Sequence, residues 1–230
     1  MTQTEKTALR RCTLFAGLPE AETDTLLTQL DARERRFAHG EALWLTGDAV
    51  TSCAVILSGS IRAESLSPAG ERSLSAVHGA GELVGDVLMA SRSAKSPVDI
   101  IAAQDTAALF LPYRTIMASD APGCAILREN LLAEIAAKFW HLRRRTDYLS
   151  RRALRSRLAA YLLDTAADRG SDAFTLALRR EDLADFLGVN RSALSREISR
   201  LREEGIIECR RGSFRLIDPA FLAEAASDRG

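Results

Sequence analysis

Between Arg180 and Leu201 the apolar residues fall at helical spacing twice, with a glycine between the two runs. Leu183, Ala184 and Leu187 make one side of a short helix, and Leu194, Ile198 and Leu201 recur at i, i+4 and i+7 in a second. Gly188 stands where the turn needs a residue tolerant of positive φ, and Asn190 is suited to cap the second helix. The positions left outward are Arg191, Ser192, Ser195, Arg196, Ser199 and Arg200. The period then changes. Glu203-Glu204-Gly205 ends the helix, Ile206–Cys209 reads as a strand, Arg210–Ser213 as a turn, and Phe214–Ile217 as a second, alternating strand. Helix, turn, helix and two-stranded hairpin in this order predict a winged helix, and Ala153–Ala167, with Leu154, Leu158, Tyr161 and Leu162 at helical spacing, supplies its first helix.

Upstream the pattern is β-rich. After a short helical start at Pro19–Leu30, glycines recur at positions 40, 47, 59, 70, 79, 81 and 85, mostly near the turn spacing of a sandwich or barrel. Between them lie the strand-like runs Ala42–Leu45, Cys53–Leu57, Ser60–Glu64, Ser73–Val77, Val98–Ala103 and Ala107–Leu111, which predict a jelly-roll-like double sheet. A long helix over Ala121–Leu149 joins the two halves. Ala125, Leu132, Ile135, Phe139, Leu142, Thr146 and Leu149 share one heptad stripe, interrupted by Arg128, while Leu127 and Leu131 add a second flank. An apolar face this wide predicts packing on the roll along one side and on a second copy of the chain along the other, through Leu132, Ile135, Phe139, Leu142 and Leu149. A single helix buried within a monomer is the alternative. The class is α+β, with a roll over 1–120, a dimerisation helix over 121–149 and a winged helix over 150–230.

Composition changes little of this: 230 residues, 47% hydrophobic and 27% charged, are those of a soluble globular protein of one or two domains. No apolar run approaches a membrane span, and the polar start is unlike a signal peptide, so the cytoplasm is the expected location. Cys12, Cys53, Cys124 and Cys209 lie far apart and read as reduced structural thiols.

Charge sharpens the picture. The net charge is zero, yet residues 141–215 carry 17 Lys+Arg against 11 Asp+Glu, a local net of +6, while residues 1–140 carry a net of −4. Small hydroxyls beside arginines suit a helix lying in the major groove, because arginine can bond guanine O6 and N7 together. Arg180, Asn190, Arg191, Ser192, Ser195, Arg196 and Arg200, with Arg210 and Arg211 at the wing tip facing phosphates, are the candidate DNA contacts. The charged run Arg143–Arg152 reads as a hinge and a phosphate-facing patch. A solvated basic hairpin is the alternative for the two helices alone, and a metabolite-binding module with a C-terminal protein-contact domain the alternative for the whole. No catalytic constellation emerges: Gly79-Ala80-Gly81-Glu82-Leu83-Val84 lacks the third glycine of a nucleotide loop.

The order of parts, together with Gly40-Glu41 and Gly47-Asp48, then Ile56–Ile61, Gly81–Asp86 and above all Leu187–Arg196, resembles the cyclic-AMP receptor protein and fumarate–nitrate regulator (Crp/Fnr) superfamily, across nearly the whole chain. The resemblance implies a cyclic-nucleotide-binding-like β-roll. It also implies a dimeric, ligand-gated transcription factor that binds a palindromic operator and contacts RNA polymerase. By position it makes Arg191, Ser192 and Arg196 the base-contacting residues, with serine where relatives often carry glutamate. In nucleotide-binding relatives a glutamate holds the ribose and an Arg-Ser pair the cyclic phosphate. Here the matching places are Gly85-Asp86 and Lys95-Ser96, with Arg92 nearby, which argues against cyclic AMP and leaves another small anion open. A single N-terminal cysteine does not make an iron–sulfur site. Haem, with His39, His78, His141 or a cysteine as ligand, and a redox role for Cys124 stay open, and the effector is unidentified.

Overall fold

The computed structural model describes residues 1–66, 72–91, 95–176 and 178–227. The chain divides into two compact units, Met1–Ala137 and Lys138–Gly230.

The first unit opens on α1 (Gln3–Arg11), whose capping box pairs the Thr2 hydroxyl with Glu5 N and the Glu5 carboxylate with Thr2 N. A 3₁₀ turn and α2 (Glu20–Gln29) lead into two four-stranded antiparallel sheets. Their strands in chain order are β1 (Arg33–Phe37), β2 (Ala42–Trp44), β3 (Ser52–Ser58), β4 (Ser60–Leu66), β5 (Arg72–Gly79) and β6 (Leu83–Val84). After α3 (Asp86–Ala90) come β7 (Asp99–Ala102) and β8 (Thr106–Pro112). One sheet runs β1-β8-β3-β6 and the other β2-β7-β4-β5. Ile56, Leu57, Ile61 and Leu111 are wholly buried in the core they share. β3 is buried along Cys53–Leu57 because α1 lies against it as well, which is why its sequence reads as a continuous apolar run instead of alternating. β1, absent from the sequence reading, has exposed residues at Arg33–Arg36 and buries only Phe37. Its place at the sheet edge rests on backbone pairing with β8.

Following α4 (Tyr113–Ala118), α5 (Cys124–Leu149) seats Cys124, Leu127 and Leu131 in the core, with Ile135 partly buried against it. Arg128, the break in the heptad stripe, donates to Ile116 O and Ser119 O and so closes the end of α4. Asn130 Nδ2 donates to Leu14 O and Ala16 O at 3.0 and 2.8 Å, pinning α5 to the 3₁₀ turn.

The second unit begins inside α5. It continues with α6 (Leu154–Arg169), β9 (Ala173–Thr175), α7 (Arg180–Phe186), α8 (Arg191–Glu203), β10 (Ile207–Arg210), β11 (Ser213–Leu216) and α9 (Pro219–Ser227). The hairpin is part of a three-stranded sheet, β10-β11-β9, in which Phe174 and Phe214 stack with centroids 6.2 Å apart. Leu158, Leu162, Leu183, Leu187, Leu194 and Leu201 form its core.

The run Arg143–Arg152, expected to be a hinge and a phosphate-facing patch, is largely fixed within this unit. Tyr148 is buried and its hydroxyl donates to Asp164 Oδ2 at 2.6 Å. Burial, and then that hydrogen bond, push its pKa up. Arg144 pairs with Asp168, Arg145 lies over the Phe186 ring, and Arg151 is buried on Ala226 O and Asp147. Arg144, Arg145 and Arg151 thus have internal partners, while Arg143 and Arg152 are exposed.

Candidate nucleic-acid interface and the sensory roll

The turn between α7 and α8 is built around Gly188, at φ +66°, where a Cβ would stand 2.8 Å from Leu149 Cδ2. A side chain there would be strained in backbone and would have to displace the end of the Leu149 side chain. Asn190 caps α8: its Oδ1 accepts from Ala193 N at 2.8 Å and from Ser192 Oγ at 2.7 Å. With Leu194, Ile198 and Leu201 turned into the core, α8 exposes Arg191, Ser192, Ser195, Arg196 and Arg200, and leaves Ser199 half-buried. Arg200 Nη1 lies 3.7 Å from Glu197 Oε2. Arg191 and Arg196 take no internal partner among the described residues.

At the wing tip Arg211 and Gly212 both have positive φ, +48° and +89°. That pair of conformations makes the tight, twist-matched hairpin turn and lifts Arg210 and Arg211 into solvent. Arg180 departs from the expected outward orientation. Its guanidinium sits 5.6 Å from the Phe214 centroid, and Nη2 donates to Cys209 Sγ at 3.5 Å, so the head turns under the wing.

A clamp that the sequence did not reveal holds α8 in place. Arg155 of α6 donates through Nε to Glu197 Oε1 at 2.6 Å and through Nη1 and Nη2 to both oxygens of Glu204, at 2.8 and 2.7 Å. Hydrogen bonding to Glu204, and next to Glu197, raises the Arg155 pKa; the same bond lowers that of Glu204. An arginine followed by glutamates some forty residues on gives no local signal, because the pairing exists only once α6 and α8 pack.

In the roll, Gly85 is the N-cap position of α3 and Asp86 is buried at its start. Ser96 is also buried. Its hydroxyl donates to Val98 O at 2.6 Å, and its backbone exchanges hydrogen bonds with Gly47 and Asp48. Lys95 is exposed, and Arg92 lies outside the described residues. The described residues therefore do not fit a cyclic phosphate, since the one serine proton is given to a carbonyl and the ammonium stands in solvent.

Along α5 the side chains of Leu132, Phe139, Trp140 and Leu142 are 60–69% exposed and Leu149 38%. This is a long apolar strip, and Trp140 was missed because it lies off the heptad. No helix among the described residues is long and apolar enough to cross a membrane.

A double-sheet roll followed by a long helix and a winged helix with free arginines on its recognition face defines a sensor-coupled DNA-binding regulator. Comparison with known proteins agrees. A cyclic nucleotide-binding domain is recognised over residues 34–118 and a Crp-like helix-turn-helix domain over residues 156–225, together more than half of the chain. The cyclic AMP receptor protein of Thermus thermophilus is 27% identical over 213 residues, covering 93% of this chain and 96% of that protein. The probable transcriptional regulator flp of Lacticaseibacillus casei is 29% identical over 203 residues, covering 86% and 90%. The crystal structure of the Thermus thermophilus catabolite activator protein matches with a TM-score of 0.52 at 26% identity, covering 93% of this chain and 98% of that one. The chain belongs to the Crp/Fnr superfamily of transcriptional regulators, with a sensory roll and a helix-turn-helix DNA-binding domain.

Proposed function

We propose that α8 enters the major groove with Arg191, Ser192, Ser195 and Arg196 toward base edges. Asn190, Arg200, Arg210 and Arg211 then meet the backbone. The observation that carries this reading is the contrast among arginines. Arg144 of α5, Arg155 and Arg157 of α6 and Arg151 between the two helices are held in internal bonds, while Arg191, Arg196, Arg210 and Arg211 are exposed and have no internal partner among the described residues. Cations left unpaired on one helix and one wing suit a polyanion.

In this reading Leu132, Ile135, Phe139, Leu142 and Leu149 pair with a second copy of the chain, so that two α8 helices face a palindromic operator. Residues 1–120 sense, 121–149 dimerise and 150–230 bind DNA. The effector is a small molecule other than a cyclic nucleotide, and it shifts the chain toward its DNA-competent state only by binding that state more tightly. The protein works in the cytoplasm, without catalysis of its own, and meets RNA polymerase at the promoter. Footprinting on the DNA upstream of its own gene tests this. Two protected half-sites about one helical turn, roughly 34 Å, apart are expected; a single half-site, or protection insensitive to salt, would refute it.

A further inference from the structure

The cap of α8 constrains what its first turn can read. Asn190 Oδ1 accepts the Ala193 N–H at 2.8 Å, which fixes which end of the amide is oxygen. Ser192 Oγ stands 2.7 Å from that same oxygen. Two oxygens at this separation need a proton between them, and an amide oxygen has none. The serine hydroxyl is therefore the donor. Its proton is committed to the cap, and Ser192, which is exposed, turns only lone pairs outward.

We infer that Ser192 reads an exocyclic amino group in the major groove, adenine N6 or cytosine N4 on the strand it faces, and discriminates against guanine and thymine there. The inference rests on the DNA-binding face proposed above and adds its base chemistry. An ordinary serine can donate or accept and so tolerates either kind of base edge. In the major groove guanine presents only the acceptors N7 and O6, and thymine the acceptor O4 beside its methyl group; adenine and cytosine carry the amino donors. A hydroxyl that can only accept is repelled by the first pair and satisfied by the second. Donating to a keto oxygen would mean abandoning Asn190, whose Oδ1 also holds the helix start. The neighbouring Arg191 and Arg196 are donors only, so Ser192 brings an acceptor to this part of the face.

The test is selection by the full-length protein from a duplex library with a randomised central segment, repeated with variants. Wild type is expected to enrich adenine or cytosine over guanine or thymine at one half-site position by about three- to tenfold, the worth of one net hydrogen bond. Ser192→Ala flattens that position and no other. Ser192→Glu, still an acceptor, keeps the amino-base preference, whereas Ser192→Lys, a donor only, reverses it. Asn190→Ala frees the hydroxyl proton and weakens the preference although serine is retained, an effect that loss of helix stability alone would spread over every position. Replacing a selected adenine by purine, which lacks the amino group, costs the same factor. Guanine or thymine enriched at the Ser192-sensitive position, or a Ser192→Ala profile identical to wild type, overturns the inference and leaves the DNA-binding reading standing. No enrichment of any sequence over random duplex overturns both.

Discussion

Removing the Arg155 clamp by Arg155→Ala perturbs the recognition helix without touching its outer face. Three charge-assisted bonds are lost, at 2.6, 2.7 and 2.8 Å. Glu197, whose side chain is only 9% exposed, keeps Arg200 alone, at 3.7 Å. Stranding a buried acceptor costs about 1–3 kcal/mol. Glu204 is 41% exposed, so its pair with Arg155 is screened by solvent. The loss is therefore about 1–3 kcal/mol, below the 3–5 kcal/mol of a fully buried pair. Amide hydrogen exchange of Ile198 and Leu201 reads this directly, with opening expected to become about 5- to 150-fold more frequent at 1.4 kcal/mol per decade. Amides of β3 in the other unit should not change. The effect carries a pH signature. Arg155 lowers the Glu204 pKa, so the stabilisation is present above the unfolded carboxylate value and is lost as pH falls through the folded one. The difference between wild type and variant should shrink below about pH 4. Exchange within threefold of wild type, or equal acceleration in both units, would refute the reasoning.

Other outcomes follow from the same geometry. Phe139→Asp with Leu142→Asp places charges on the exposed strip of α5 and is expected to yield monomers in sedimentation experiments; an unchanged dimer would assign the interface elsewhere. Gly188→Val forces a β-branched residue into a left-handed turn against Leu149 and should cost at least about 1–2 kcal/mol in chemical denaturation. Arg211→Ala at the wing tip should reduce the slope of log affinity against log salt by about 1, with sequence preference kept. A lost preference with an unchanged slope would make it a base reader.

The parts that sequence made legible are those whose packing is periodic. Leu183, Leu187, Leu194, Ile198 and Leu201 announce α7 and α8 because each helix buries one face, and the hairpin behind them alternates because one face of its sheet is covered. β1 stayed hidden because Arg33-Glu34-Arg35-Arg36 contribute backbone, not side chains, to their sheet edge. α1 offers only Ala8 and Leu9 as apolar anchors, and its cap lies among the first five residues. The candidate site was legible as a concentration of arginines but not as a division of labour. Counting charges cannot tell Arg196, which is free, from Arg155 or Arg151, which are paired, since their partners lie up to 75 residues away. Likewise the family resemblance placed Lys95 and Ser96 at the phosphate positions, whereas the fold gives the serine proton to Val98 O and leaves the lysine in solvent.

The central claim is that the exposed face of α8 reads DNA sequence. Titrating wild type and Arg196→Ala against the footprinted operator and against random duplex, at one salt concentration, tests it most directly. The variant should lose about 1–3 kcal/mol on the operator and keep its affinity for random DNA. Equal losses on both duplexes would make Arg196 a phosphate contact and contradict the account.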